Sequence, residues 1–267
     1  SPRHGPMRIV TFSNLKGGSA KTTSTLAVAA ELARRGRAVL AVDLDPQATL
    51  TTSAGLEPGP AAASLLSGDG SAEEARAALA DASGGADLAD GGALHVLPAD
   101  RRLLRLERTA PVQLSRRLLA FLDLVEGDYD VAVVDTPPQA SALVTAALAS
   151  TDLVLVPVAS GRGALDGLGD VVELTEKFGT APVTGAFVTR VNTSSLHDRE
   201  LVEYVADQIA GPDGEPAIRA FVRETVRVRE AEMARVPVPF YAPRSTAAQD
   251  YAALVDEVEA LLERHNS

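Results

Sequence analysis

The chain contains no cysteine. That excludes disulfides and any zinc or iron–sulfur site held by thiolates. It has no run of about 18 apolar residues, the length a membrane-spanning helix needs. No signal-peptide pattern is visible. Positive charge is in deficit: the net charge of −11 argues against a globally basic nucleic-acid binder, while leaving room for a local basic patch. Lysine is scarcest of the charged residues, with three in the chain: Lys16, Lys21 and Lys177. What is present, 46% hydrophobic and 23% charged residues over 267 positions, describes a globular protein of one large domain or two small ones. Ser1 to Pro6, ahead of Met7, have the character of a cloning remnant and carry no fold signal.

Two of the three lysines share one loop, Asn14-Leu15-Lys16-Gly17-Gly18-Ser19-Ala20-Lys21-Thr22-Thr23. An apolar β-like run, Arg8 to Ser13, leads into it. A helix-like run, Thr22 to Arg35, leads out, with Gly36 as its left-handed stop. A strand, a Gly-rich turn and a helix N-terminus form a phosphate cradle, because backbone N–H groups and the helix dipole both favour an anion. Lys21 is placed to reach β- and γ-phosphates, and the Thr22 hydroxyl to ligate Mg²⁺. The generic pattern G-x-x-x-x-G-K-[ST] would need glycine at Leu15 and Ala20 and fails at both. The pattern that remains is K-G-G-x-x-K-T-T, a deviant Walker A loop.

Elsewhere, apolar runs alternate with helical periodicity, the signature of a parallel sheet covered on both faces. Further strands are expected at Ala38 to Asp43, Ala93 to Pro98, Tyr129 to Asp135, Asp152 to Val158, Val183 to Thr189 and Val236 to Pro239. Helices are expected around Arg101 to Arg108 and at Gln113 to Val125, Ser141 to Ala149, Leu165 to Phe178, Leu196 to Ala210 and Ala247 to Arg264. Glu57 to Gly92, rich in Ala, Gly, Ser and Asp, reads as a surface excursion with short helical pieces such as Ala72 to Leu79.

Two strand ends carry carboxylates. Val131 to Asp135, followed by Thr136-Pro137-Pro138, fits a Walker B strand whose terminal Asp135 can hold Mg²⁺ directly or through a water. Asp43-Leu44-Asp45-Pro46-Gln47 ends the neighbouring strand, where ligands of α/β sheets bind, and Asp45 could accept a hydrogen bond from a hydrolytic water.

These three pieces together resemble the ParA/MinD/Soj group of P-loop ATPases: the two-lysine loop, the D-x-D-P-Q box and the D-x-P-P switch. The resemblance covers nearly the whole chain. It implies an α/β P-loop NTPase fold, a mostly parallel twisted sheet with helices on both faces, in a single domain from Met7 to Arg264. It implies ATP and Mg²⁺ as cofactors and a weak intrinsic ATP hydrolase. Lys16, Lys21 and Asp45 become catalytic residues, with Lys16 reaching the phosphates of a partner subunit in a nucleotide-sandwiched homodimer. Lys16, Gly17, Gly18, Ser19, Ala20, Lys21, Thr22 and Thr23 bind nucleotide; Thr22 and Asp135 hold the metal. Asn192, in the base-facing loop after a late strand, is an adenine candidate; a plain turn residue is the competing reading, and Val222 to Val228 is a second candidate segment. The absence of cysteine argues against the nitrogenase-iron-protein branch.

Ala217 to Arg244 holds six arginines against three glutamates. Val226-Arg227-Val228-Arg229-Glu230-Ala231 resembles the family's V-R-x-x-E-A stretch, so Arg219, Arg223, Arg227 and Arg229 are candidates for sequence-independent DNA binding. A solvated, ion-paired helix face is the alternative. A ParB-like centromere-binding partner and a cytoplasmic, nucleoid-associated location follow from the same resemblance. The acidic C-terminal stretch Asp256 to Ser267 argues against membrane targeting. The loop's start soon after Met7 argues against the branch with a long N-terminal helix-turn-helix. The competing functional class is a MinD-like or other cargo-positioning ATPase that does not bind DNA. A metabolic relative of dethiobiotin synthetase would need a carboxylate pocket that the sequence does not display. Two departures stand out: Ala20 replaces the usual glycine, and Ala159-Ser160-Gly161-Arg162-Gly163 replaces the family's Q-x-E motif.

Overall fold

The computed structural model describes residues 6–161, 163–211 and 214–264. Residues 1–5 of the expected N-terminal remnant, Arg162 and residues 265–267 of the acidic end lie outside the described residues.

Continuous apolar runs such as Ala38–Asp43 and Val131–Asp135 are stable as strands when both faces are covered. That is how they are used. The strands are β1 (Arg8–Phe12), β2 (Ala38–Asp43), β3 (Ala80–Asp81), β4 (Ala93–Leu97), β5 (Val131–Asp135), β6 (Leu153–Ala159) and β7 (Val183–Thr189). They form one sheet in the order β3-β4-β2-β5-β1-β6-β7. All pairs are parallel except β3 with β4.

The helices are α1 (Lys21–Arg34), α2 (Thr49–Ser53), α3 (Ala61–Ser67), α4 (Ala72–Ala77), α5 (Pro111–Val125), α6 (Ala142–Leu148), α7 (Asp166–Phe178), α8 (Leu196–Gln208), α9 (Val226–Ala234), α10 (Val238–Tyr241) and α11 (Thr246–Arg264). Side chains of β2 alternate between two cores, as the strand period of two requires. Val39 and Ala41 pack with α1 and α11, whereas Leu40 and Val42 pack with α5 and α6. Full burial of a side chain such as Phe121 is worth about 1.5–3 kcal/mol. A third cluster joins Val154 and Val156 of β6 to α7 and α8. Gly36 stops α1 at φ 93°, and a side chain there would meet the Asp90 carbonyl oxygen at 2.9 Å.

Three sequence expectations change. Val236 to Pro239 is not a strand: Pro237 is the N-cap of the short helix α10, and prolines at 237 and 239 have no N–H to donate to a sheet ladder. The Arg101–Arg108 stretch is a 3₁₀ helix over Arg101–Leu106. Glu57 to Gly92 is more than a surface excursion. Its Ala61, Ala62, Ala63, Leu65 and Leu66 are buried against the α5 side of the sheet, and it supplies the antiparallel edge strand β3. Small alanines allow α3 that close approach without large apolar residues to announce it. Among the described residues, no helix is long and apolar enough to cross a membrane.

The sheet register positions the site. Asp135 pairs across with Phe12 on one side and Asp43 on the other. The carboxyl ends of β1, β2 and β5 therefore lie side by side, at the edge where α/β sheets bind ligands.

Candidate functional site

The loop from β1 to α1 is open on its outer side. A side chain added at Gly17 or Gly18 would have no atom within 4 Å. The N–H groups of Gly17 through Thr23 have no protein acceptor among the described residues. A row of free donors at a helix N-terminus fits an anion with several oxygens. Asn14 shapes the loop from below: its Nδ2 donates to the Pro157 carbonyl at 2.7 Å, and its Oδ1 accepts the Lys16 N–H at 2.8 Å. Ala20, at φ 59°, occupies the left-handed region as the N-cap of α1. This is a conformation glycine adopts freely and alanine does not.

Beneath the loop, the fully buried Asp135 accepts three hydrogen bonds from α1. These come from Thr22 Oγ1 at 2.7 Å, Thr25 Oγ1 at 3.1 Å and Lys21 Nζ at 3.4 Å. Lys21, 5% exposed, also donates to the Thr136 carbonyl. Lys16 differs: it stands exposed on the loop's rim. A methyl group at Gly163 would sit 3.0 Å from Lys16 Nζ and 2.6 Å from Asp166 Oδ2, so the start of α7 closes in on that lysine.

The two carboxylates of the β2 end have different surroundings. Asp43 is spent inside the protein: it accepts Thr51 Oγ1 at 2.7 Å, Thr51 N–H at 2.9 Å and Asp45 N–H at 3.0 Å. Burial, and next the charge of Asp135, push its carboxyl up to about 7. Asp45 lines the same hollow as the loop. Its Oδ1 accepts the Gln47 N–H at 2.8 Å, and its other oxygen has no protein partner among the described residues. Burial raises its pKa, against the Gln47 bond and the nearby charge of Lys21. Such a carboxylate is suited to hold a water by hydrogen bonding. Among the described residues no group of three or more His, Asp or Glu side chains could hold a metal alone. Thr22 and Asp135 fit Mg²⁺ shared with phosphate oxygens, since that ion keeps few protein ligands.

The phosphate-side hollow, ≈ 210 Å³, adjoins a second of ≈ 200 Å³. The second is the candidate for a base pocket. Its walls come from Thr189 at the end of β7 and Arg190 just after it, from Val222–Thr225, from Val228, Arg229 and Glu232 on α9, and from Tyr251 on α11. Buried Tyr251 shares a hydrogen bond with Ser24 Oγ at 3.2 Å, and burial pushes its hydroxyl pKa up to about 12. Thr225 Oγ1 is buried without a protein partner. Thr23 Oγ1 donates to Glu232 Oε1 at 2.7 Å and ties the loop to α9.

Asn192 does not line either hollow. Its Oδ1 accepts the Ser194 N–H at 3.0 Å, and its N–H donates to Asp198 Oδ2 at 2.7 Å, so it shapes the turn before α8. The adenine candidate passes to the Val222–Val228 segment. The arginines also separate. Arg223 is held by Asp250, with Nη2 donating at 2.5 Å and Nε at 3.0 Å. Arg219 pairs with Glu215 and Arg227 with Glu230, each at 2.7 Å on the surface. Arg229 is exposed and has no ion pair among the described residues. Sequence reasoning missed Glu232 and Tyr251; neither carries a local motif, and the folded chain alone brings them to Thr23 and Ser24.

A parallel sheet that ends in a strand–Gly-loop–helix anion cradle, with an aspartate from the next strand beneath it, is the architecture of the P-loop nucleoside triphosphatases. That is the class of this protein. A family model described as an AAA domain matches residues 7–183. The chain is 31% identical over 260 residues to the chromosome-partitioning ATPase Soj of Thermus thermophilus, covering 95% of this chain and 96% of that protein. The solved structure of cobyrinic acid a,c-diamide synthase from Mycobacterium smegmatis is 27% identical at TM-score 0.73, over 98% of this chain and 96% of that one. The Mg-ADP complex of the septum site-determining protein MinD from Pyrococcus horikoshii shares the fold, at 24% identity and TM-score 0.75 over 96% and 97% of the two chains. The chain belongs to the ParA/MinD superfamily of P-loop ATPases.

Proposed function

We propose that this ATPase is a partition protein of the ParA/Soj kind. It binds ATP with Mg²⁺, closes as a nucleotide-sandwiched homodimer and binds DNA without sequence preference in that state. A ParB-like centromere-binding partner stimulates hydrolysis and release, in the cytoplasm on the nucleoid. The reading rests on the division between the two lysines: Lys21 is buried and bonded within its own subunit, while Lys16 is exposed on the rim. A cation on the exposed rim of a phosphate cradle can be approached by a second subunit.

In this reading the loop N–H groups from Gly17 to Thr23 and Lys21 bind the phosphates. Thr22 and Asp135 would hold Mg²⁺, which would neutralise charge on the phosphate oxygens when bound. Asp45 orients the attacking water through its unpartnered oxygen. Lys16 of one subunit adds positive charge to the phosphates of the other, the role an arginine finger fills elsewhere. On the DNA face Arg229 is available directly. Arg219 and Arg227 are held by exposed ion pairs worth about 0–1 kcal/mol, which DNA phosphates can displace. Arg223, locked to the buried Asp250, drops out of the set.

The test is a gel shift with non-specific DNA at low salt, comparing ADP with a non-hydrolysable ATP analogue. An analogue-dependent shift, lost in Arg229→Ala and steeply salt-sensitive, is expected. Light scattering should find a dimer with the analogue and a monomer for Lys16→Ala. The net charge of −11 and the paired arginines favour a second reading, a MinD-like or other cargo-positioning ATPase that does not touch DNA. An analogue-dependent dimer without a shift would select it.

A further inference from the structure

The two hollows share three residues: Ala20, Thr23 and Arg190. In a nucleoside triphosphate the α-phosphate links the polyphosphate to the nucleoside. With phosphates on the loop and the base in the second hollow, the α-phosphate falls at this junction. Ala20 offers a methyl group there. The Thr23 hydroxyl is already given to Glu232. Arg190 is the charged side chain that lines both hollows.

Three observations set Arg190 apart. Its φ of 58° lies in the left-handed region, which a side chain of this size rarely adopts. A strained residue that the fold retains beside a binding cleft is a functional candidate. Its guanidinium is exposed and has no ion pair among the described residues. The charges around it are also arranged asymmetrically. Glu224 and Glu232 line the base hollow, and Arg223 in the same wall is neutralised by Asp250. Arg229 borders the base hollow alone. An anion at the junction is repelled from the Glu232 side and drawn to Arg190.

We propose that Arg190 binds the α-phosphate of the nucleotide, held over the junction of the two hollows by its left-handed backbone. This rests on the nucleotide-site reading above and adds a residue outside the loop, the β2 end and the β5 end. A guanidinium suits the role because its planar fork can donate twice to one phosphate.

The experiment is calorimetric titration of Mg²⁺-ADP and AMP, with ³¹P NMR of bound ADP, on wild type, Arg190→Ala and Arg190→Lys. Loss of a charge-assisted hydrogen bond should weaken ADP and AMP by about 10- to 100-fold in Arg190→Ala, with partial recovery in Arg190→Lys. At saturation the bound α-phosphorus resonance should move in Arg190→Ala while the β-phosphorus stays. Unchanged affinities, or an unmoved α-phosphorus signal, overturn the assignment. Arg190→Gly, which relieves the backbone, should melt no lower than wild type yet lose affinity like Arg190→Ala. A lowered melting temperature with unchanged affinity would make Arg190 merely structural. If wild type itself binds no ADP, the nucleotide-site reading fails, and that outcome is separate from any behaviour of the variants.

Discussion

The two sides of the nucleotide cleft are built differently. The phosphate-side hollow is lined by residues 16–23, Asp45 and Pro138, within the stretch the family model matches, and is met from beyond it by Arg190. Its floor is buried and internally bonded: Asp135 alone accepts from Lys21, Thr22 and Thr25. Apart from Ala20 and Thr23, which it shares with the loop, the second, base-side hollow is walled by residues beyond 183: 189–190, 222–225, 228–229, 232 and 251. It hangs on isolated side-chain ties, Thr23 to Glu232, Arg223 to Asp250 and Ser24 to Tyr251. Phosphate is held by backbone N–H groups and charges at strand ends, and these tolerate little change in spacing. A base can be gripped by many combinations of side chains, so that wall is free to differ.

If the contrast is sound, damage to the phosphate side should abolish turnover, and damage to the base side should weaken binding. The largest effect is expected for Lys21→Ala, with phosphate release reduced about 100- to 1,000-fold. Asp45→Ala should lose about 100-fold in turnover while calorimetry finds ATP affinity unchanged. Retained turnover in either variant would break the comparison.

The pH dependence of stability isolates Asp43. Its folded pKa of about 7 lies above the ordinary carboxyl value of 3.8, so the folded state binds the proton more tightly than the unfolded chain does. The contribution is therefore fully present below about pH 4 and is lost as pH rises through 7. Urea unfolding without Mg²⁺ should show a few kcal/mol, to order of magnitude, lost across that window, and Asp43→Asn should flatten the slope.

On the base side, Asp250→Ala leaves Arg223 unpaired. Because Arg223 is partly exposed, the cost should be about 1–2 kcal/mol in unfolding, with KM for ATP raised and kcat kept. A fall in kcat instead would mean that the two sides are coupled. The smallest effect is Ala20→Gly, which should stabilise by about 1 kcal/mol by relieving the φ of 59°. Equal turnover and equal ATP-dependent dimerisation in that variant would remove the idea that the Ala20 methyl slows either process.

Legibility in the sequence followed the same divide. The strand–loop–helix unit, the strand-end aspartates and the alternating sheet could be read from local pattern, because each is specified by neighbouring residues. Val236 to Pro239 misled, since a short apolar run does not show that its prolines begin a helix. Asn192 misled for another reason: its place after a strand is legible, but its commitment to Ser194 and Asp198 is not. Arg223 looked like part of a basic patch until Asp250, far along the chain, neutralised it.

By itself, then, the sequence determined the class of fold, the phosphate loop and the carboxylates that follow two of its strands, because period and spacing act over a few residues. Tertiary structure alone decided which arginines are free, that Lys21 is buried and Lys16 exposed, and that Arg190 stands where the two hollows meet. Those properties depend on burial and on charges brought together from distant segments, and neither exists until the chain has folded.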